Sequence, residues 1–386
     1  MPHYIQQGTI PPKRHTQFRQ PDGSLYHEEV IGAEGFHGIS SIAYHIHPPT
    51  SIEQVGDPED YPVIYADERS MIHRHLLGAE VPSGGNWLSG RRYLLGNDDV
   101  RLALCSPTEP MDYYYRNASC DELVYVHEGR GELRSPLGRV AFTAGDYVHV
   151  PRTVTHQWKV DLNQPCRFLV IESASEVRPP KRYRNQYGQL LEHSPYCERD
   201  LKVPVLEEPR DEAGGFEVRI LKHGQLHRLV YSYHPFDVVG WDGYMYPYAI
   251  SIHDFEPITG RIHQPPPVHQ MFEAHNFVVC SFVPRKFDYH PQSIPAPYNH
   301  SNIDSDEVLF YAEGDFMSRR GVKRASFTLH PGGLPHGPHP GTVEASLGKE
   351  GTEELAVMVD TFRPLRLTSA ALEVEDKSYI YSWKVK

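Results

Sequence analysis

The chain has 386 residues, 39% of them apolar and 11% aromatic, enough for a packed core and too many for a globally disordered chain. A formal charge of −12 argues against a nucleic-acid surface, and no apolar run approaches the roughly 18 residues of a membrane span. The counts that stand out are 24 His, 24 Tyr and 34 Pro. Histidine binds metals and moves protons near neutral pH, and proline at this density breaks helices. The expectation is a loop-rich β protein that carries a metal.

The first residues, Met1 to Gln7, lack the basic and apolar regions of a signal peptide. The five cysteines form no C-x-x-C pair, which argues against a thiolate zinc site and for reduced cytosolic thiols. Residues 1–60, with Pro11-Pro12 and Pro48-Pro49, read as an irregular N-terminal arm. Residues 61–212 hold short β-branched and aromatic runs at 123–126, 140–143 and 168–171, and close on a charged, Pro-rich connector at 176–212. Residues 213–386 repeat the strand pattern at 277–279, 308–311 and 356–359. Stretches of helical period are few, so the fold class is all-β, a sandwich or barrel.

An internal repeat organises these strands. Asp121 to Gly129 (DELVYVHEG) lines up with Asp306 to Gly314 (DEVLFYAEG). Upstream, Tyr115-Arg116-Asn117 falls opposite His300-Ser301-Asn302. Downstream, each copy runs through a strand and a Pro turn to a histidine, His156 in the first and His336 in the second. A strand glutamate, a glycine turn, a second strand and a turn ending in His resemble the motif of cupin (jelly-roll) barrels, so the chain resembles a bicupin. That resemblance implies two barrels whose ligands converge inside. The second copy offers His300, Glu307 and His336, two imidazoles and a carboxylate, the facial triad of non-haem Fe(II) oxygenases. The first copy keeps Glu122 and His156 but has Tyr115 in place of the first histidine. The metal, Fe(2+), is therefore expected in the C-terminal half only.

Several segments narrow the resemblance: Pro235 to Gly243 (PFDVVGWDG), Pro297-Tyr298-Asn299-His300 and Leu334-Pro335-His336-Gly337-Pro338 are similar to the homogentisate 1,2-dioxygenase family. What this implies is a cytoplasmic, homo-oligomeric (trimeric or hexameric) enzyme that takes a small aromatic and dioxygen, cleaving homogentisate to maleylacetoacetate. Position by position, His300, Glu307 and His336 match the iron ligands. His263 matches the catalytic histidine that handles the substrate proton, with His269 close enough to be confused with it. Tyr298 and His330 match pocket-lining positions, and Phe316 stands where the family has a substrate-contacting tyrosine. Losing that hydroxyl removes a hydrogen bond of about 0.5–1.5 kcal/mol. Gentisate and hydroquinone are alternative substrates. A cupin isomerase would want a sugar-phosphate site, for which the basic run 319–324 is the candidate, although it reads as a solvated turn. A non-catalytic bicupin would have lost ligands in both halves.

Overall fold

The structure is a computed structural model that describes residues 3–314, 316, 318–319 and 321–384. Strands dominate. Among the described residues the α-helices are two five-residue pieces, Thr342–Ser346 and Ser369–Glu373. Short runs of β-branched and aromatic residues, each ended by Gly or Pro, stop before a helix could propagate. The repeated Glu-Gly step is a turn in both copies. Gly129 and Gly314 adopt φ of 98° and 100°, a region that glycine enters without steric cost.

Two barrels result. In the first, the strand Asp121–Glu128 lies between Asp146–Val150 and Arg167–Ser173 in an eight-stranded sheet. A three-stranded sheet built on Arg130–Ser135 packs against it through Leu133, Phe142 and Trp158. In the second, Asp306–Glu313 lies between Phe327–His330 and Leu355–Thr361 in a six-stranded sheet. The registers coincide: Glu122 pairs with Val150 and Glu172, and Glu307 pairs with His330 and Asp360. Tyr115 and His156 form an isolated bridge with both N–H···O distances at 2.8 Å, and His300 and His336 form the same bridge at 2.8 and 2.9 Å. The two barrels share a core, with Tyr125 against Phe310 and Tyr147 against Phe272.

The sheets do not divide at residue 212, where the sequence places a boundary. Tyr248–Ser251 and Arg366–Leu367 belong to the first barrel's sheet, while Arg74–Leu76 pairs with Phe327–His330 in the second. Each barrel thus covers an edge with a strand from the other half, which removes unpaired backbone groups from the surface. The N-terminal arm is more regular than expected. Ile5–Gly8, His27–Gly32 and Ser40–His45 join Val238–Gly243 in a four-stranded sheet.

Candidate metal centre

Glu307 opens its strand, and the preceding Asp306 pins that start by accepting from the backbone N–H of Gly332 and Leu365, both at 2.8 Å. The His300–His336 bridge brings the two loop histidines over it. One donor atom from each of His300, Glu307 and His336 lies within 4.8 Å of the other two. The Nε2 atoms of His300 and His336 stand 3.5 and 3.3 Å from the two carboxylate oxygens.

The outer bonds fix which ring nitrogen faces inward. His300 Nδ1 contacts Tyr298 O at 3.3 Å, and His336 Nδ1 contacts Leu334 O at the same distance. A carbonyl only accepts, so each Nδ1 carries the hydrogen and each Nε2 presents a lone pair. The His336 Nε2 is buried without a hydrogen-bond partner. Its lone pair faces a carboxylate oxygen, acceptor against acceptor, and a cation between them would turn that repulsion into coordination. The donor set therefore fits a divalent metal.

His330 supports the carboxylate from behind. Its Nδ1 donates to Glu307 Oε1 at 2.8 Å, and its Nε2 lies 3.2 Å from the Tyr379 hydroxyl. Burial pushes its pKa down to about 3, against the pull of Glu307, so the ring is neutral. Burial alone would raise Glu307, but the hydrogen bond it accepts from His330 works against that, and its carboxyl lies well below the usual carboxylate range. The sequence makes His330 a histidine that backs the metal ligands and lines the pocket; the structure puts it behind Glu307 and off the cavity wall. The ring is fully buried and is not among the cavity-lining residues. The reason is the pleat: in register with Glu307 on the next strand, it can only pack beside the carboxylate. His339, three residues past His336, is outside the ligand group. It contacts Ser382 Oγ and the Trp383 ring.

A cavity of about 180 Å³ opens onto His300 and Glu307. Engineered cavities of about 150 Å³ hold benzene, so one aromatic ring fits. His263, Tyr298 and Phe316 all line it. The His263 side chain is half exposed, with Nδ1 3.7 Å from Asp288 Oδ2 and its ring edge-on to Tyr298 at 5.1 Å. His269 also lines the cavity but packs on Phe282, and burial lowers its pKa to about 3. Phe316 is buried edge-on against Tyr311. The sequence reading missed Arg285, Arg319 and Glu354 on the same wall. Strand period could have placed Glu354 near the barrel, but nothing local marks the arginines.

The first barrel answers the question its missing histidine raised. Arg91 donates from both terminal nitrogens to the two oxygens of Glu122 at 2.9 Å, and from Nη1 to Glu172 at 2.7 Å. Tyr115 and Asn117 donate to the same Glu122 oxygen, at 2.9 and 3.1 Å. His156 keeps the ligand-type arrangement, with Nδ1 on Val154 O at 2.9 Å and Nε2 buried and unpartnered. A guanidinium thus occupies the cation position. Beside it Trp87 and Trp158 stack at 4.1 Å, with Phe142 edge-on to Trp158 and Phe168 edge-on to Trp87.

Comparison with known proteins fits this repeat. A family model described as "Cupin domain" matches residues 107–172, the barrel without the triad. A Saccharolobus solfataricus protein described as a "Putative dioxygenase" is 43% identical over 386 residues, covering 99% of both chains. The chain belongs to its family, the homogentisate 1,2-dioxygenase-related cupins. The homogentisate 1,2-dioxygenase of Bradyrhizobium diazoefficiens is 26% identical over 71% of this chain and 63% of its own length, so the match leaves over a third of that relative unspanned. The mouse enzyme of the same name is 23% identical over 79% of this chain and 74% of its own. The family makes this a dioxygenase-like enzyme of the cupin type.

Proposed function

We propose that the chain is a ring-cleaving dioxygenase that binds Fe(II) through His300, Glu307 and His336 and converts homogentisate to maleylacetoacetate. The carrying observation is the donor set: two imidazole lone pairs and a carboxylate converge at the end of a one-ring cavity. Bound Fe(II) would acidify a phenol and let dioxygen react with the ring.

The chain's own residues do the rest. Tyr298 and Phe316 present aromatic surface to the substrate ring. His263, at the mouth beside Asp288, takes the phenolic proton on an imidazole nitrogen. His269 is a poor proton acceptor at neutral pH, because burial beside Phe282 disfavours its charged form. Gentisate and hydroquinone are the second reading, favoured by Phe316, which offers no hydroxyl to a side-chain carboxylate. Four of the five cysteines are buried and none is paired, which suits a cytoplasmic enzyme. Among the described residues, no helix is long and apolar enough to cross a membrane. We place the enzyme in the cytoplasm as a homo-oligomer, a trimer or hexamer.

The test is metal analysis with oxygen uptake. Iron-loaded protein should consume oxygen with homogentisate. Failure with homogentisate, gentisate and hydroquinone alike overturns the reading.

A further inference from the structure

The basic run from Arg319 to Arg324 reads as a solvated turn, yet Arg319 lines the cavity together with His300 and Glu307. Its two backbone hydrogen bonds both leave from Nη1, to Gly337 O at 2.6 Å and Ser318 O at 3.3 Å. Gly337 follows the candidate ligand His336, so the guanidinium is tied to the ligand turn. Trp383 flanks it, with the ring centre 5.8 Å from Cζ. Its Nε is buried with no hydrogen-bond partner. Among the described residues no carboxylate forms a salt bridge with it, whereas Arg285 on the same wall is paired with Glu354 at 3.3 Å.

Tyr379 shares a side-chain hydrogen bond with the Arg319 guanidinium and Glu307 attracts it, but among the described residues no carboxylate meets it at salt-bridge distance, so an anion in the cavity would offset its desolvation. Guanidinium is a planar fork matched to carboxylate geometry, and it stays charged at any working pH. The bonds from Nη1 fix its orientation in advance, so an arriving anion meets a preorganised partner. We propose that Arg319 is the carboxylate receptor of the cavity, selecting a single-ring aromatic with an anionic side group over its neutral analogue. This rests on the reading of the cavity as the dioxygenase substrate site and adds the residue that chooses among its substrates.

The test compares phenylacetate with its neutral isostere phenylacetamide, binding to the full chain by calorimetry and by tryptophan fluorescence. Metal-depleted protein is used, so that no metal can hold the carboxylate. The wild type should prefer phenylacetate by about 10- to 100-fold, the range of a charge-assisted hydrogen bond. Arg319→Met should bring that ratio close to one, and Arg319→Lys should restore part of it. A wild type without the preference, or an Arg319→Met protein that keeps it, overturns the proposal. The wild-type ratio stands even if the methionine variant does not fold. In iron-loaded enzyme, kcat/KM for 2,5-dihydroxyphenylacetate over its amide should fall with the same substitution. If neither compound is turned over, the reading of homogentisate as substrate fails, while the binding ratio still decides the role of Arg319.

Discussion

Each side chain of the triad is braced on its outer side: His300 and His336 by carbonyls two residues back, Glu307 by His330. Replacing Glu307 by Gln leaves size and removes the charge, and stoichiometric metal binding should disappear in a direct metal assay. Replacing His330 by Phe spares every ligand. Outer partners of this kind are worth about 10- to 100-fold in metal affinity, and competition with a chelator should show a loss of that order while circular dichroism stays native. His263→Ala should keep its metal and lose about 10²- to 10⁴-fold in oxygen uptake with homogentisate, the usual range for general acid–base help. An equal loss in His269→Ala, with His263→Ala unaffected, would transfer the role. The three candidate ligands were legible in sequence because the repeat set them beside a defective copy. His330 was legible as a neighbour of the site but misplaced, since only the strand register shows that it backs the glutamate. Arg319 was legible only as the first member of a basic run, read as a solvated turn. A run of arginines on a turn looks the same whether its first member points to water or to a cavity.

At the scale of elements, the two barrels are one plan with two fillings. The paired glutamates, the glycine turns and the bridged loop residues recur in both. In the first barrel, a buried guanidinium grips the glutamate directly, with stacked indoles beside it. In the second, the nearby guanidinium is held by backbone carbonyls instead, and the glutamate stays available. Arg91 lies thirty-one residues from Glu122 on a different strand, so no local pattern announces the pairing. Arg91→Leu should strand Glu122 and Glu172 in the core. Breaking a buried pair by removing one partner costs about 3–5 kcal/mol, and urea unfolding should register a loss of that size.

At the scale of the whole molecule, the all-β class and the two-barrel plan follow from short strands, but the exchange of edge strands does not. Arg74–Leu76 is three residues long, too short to show a period, and its partner lies some 250 residues onward. The N-terminal sheet carries its own pH dependence. His45 Nδ1 lies 2.7 Å from Asp237 and its Nε2 lies 3.2 Å from Glu29, so both ring nitrogens face carboxylates. Burial would lower its pKa, but these two contacts prevail and raise it from 6.5 to about 9. A folded value above the unfolded one stabilises fully below about pH 6.5, and the gain is lost as pH rises through about 9. Thermal unfolding of the wild type should therefore weaken over that window, and His45→Gln should flatten the curve.

The candidate centre draws on residues far apart in the sequence. His73 packs near His330 and His336, Tyr379 reaches His330, and the Trp383 indole donates to Gly337 O. A ribosome releases these parts in order, and the last of them emerges more than three hundred residues after the first. The nascent chain can complete neither part early, since the first barrel's sheet takes Arg366–Leu367 and the surroundings of the centre take Trp383. A finished site therefore waits until residues more than three hundred positions apart have met.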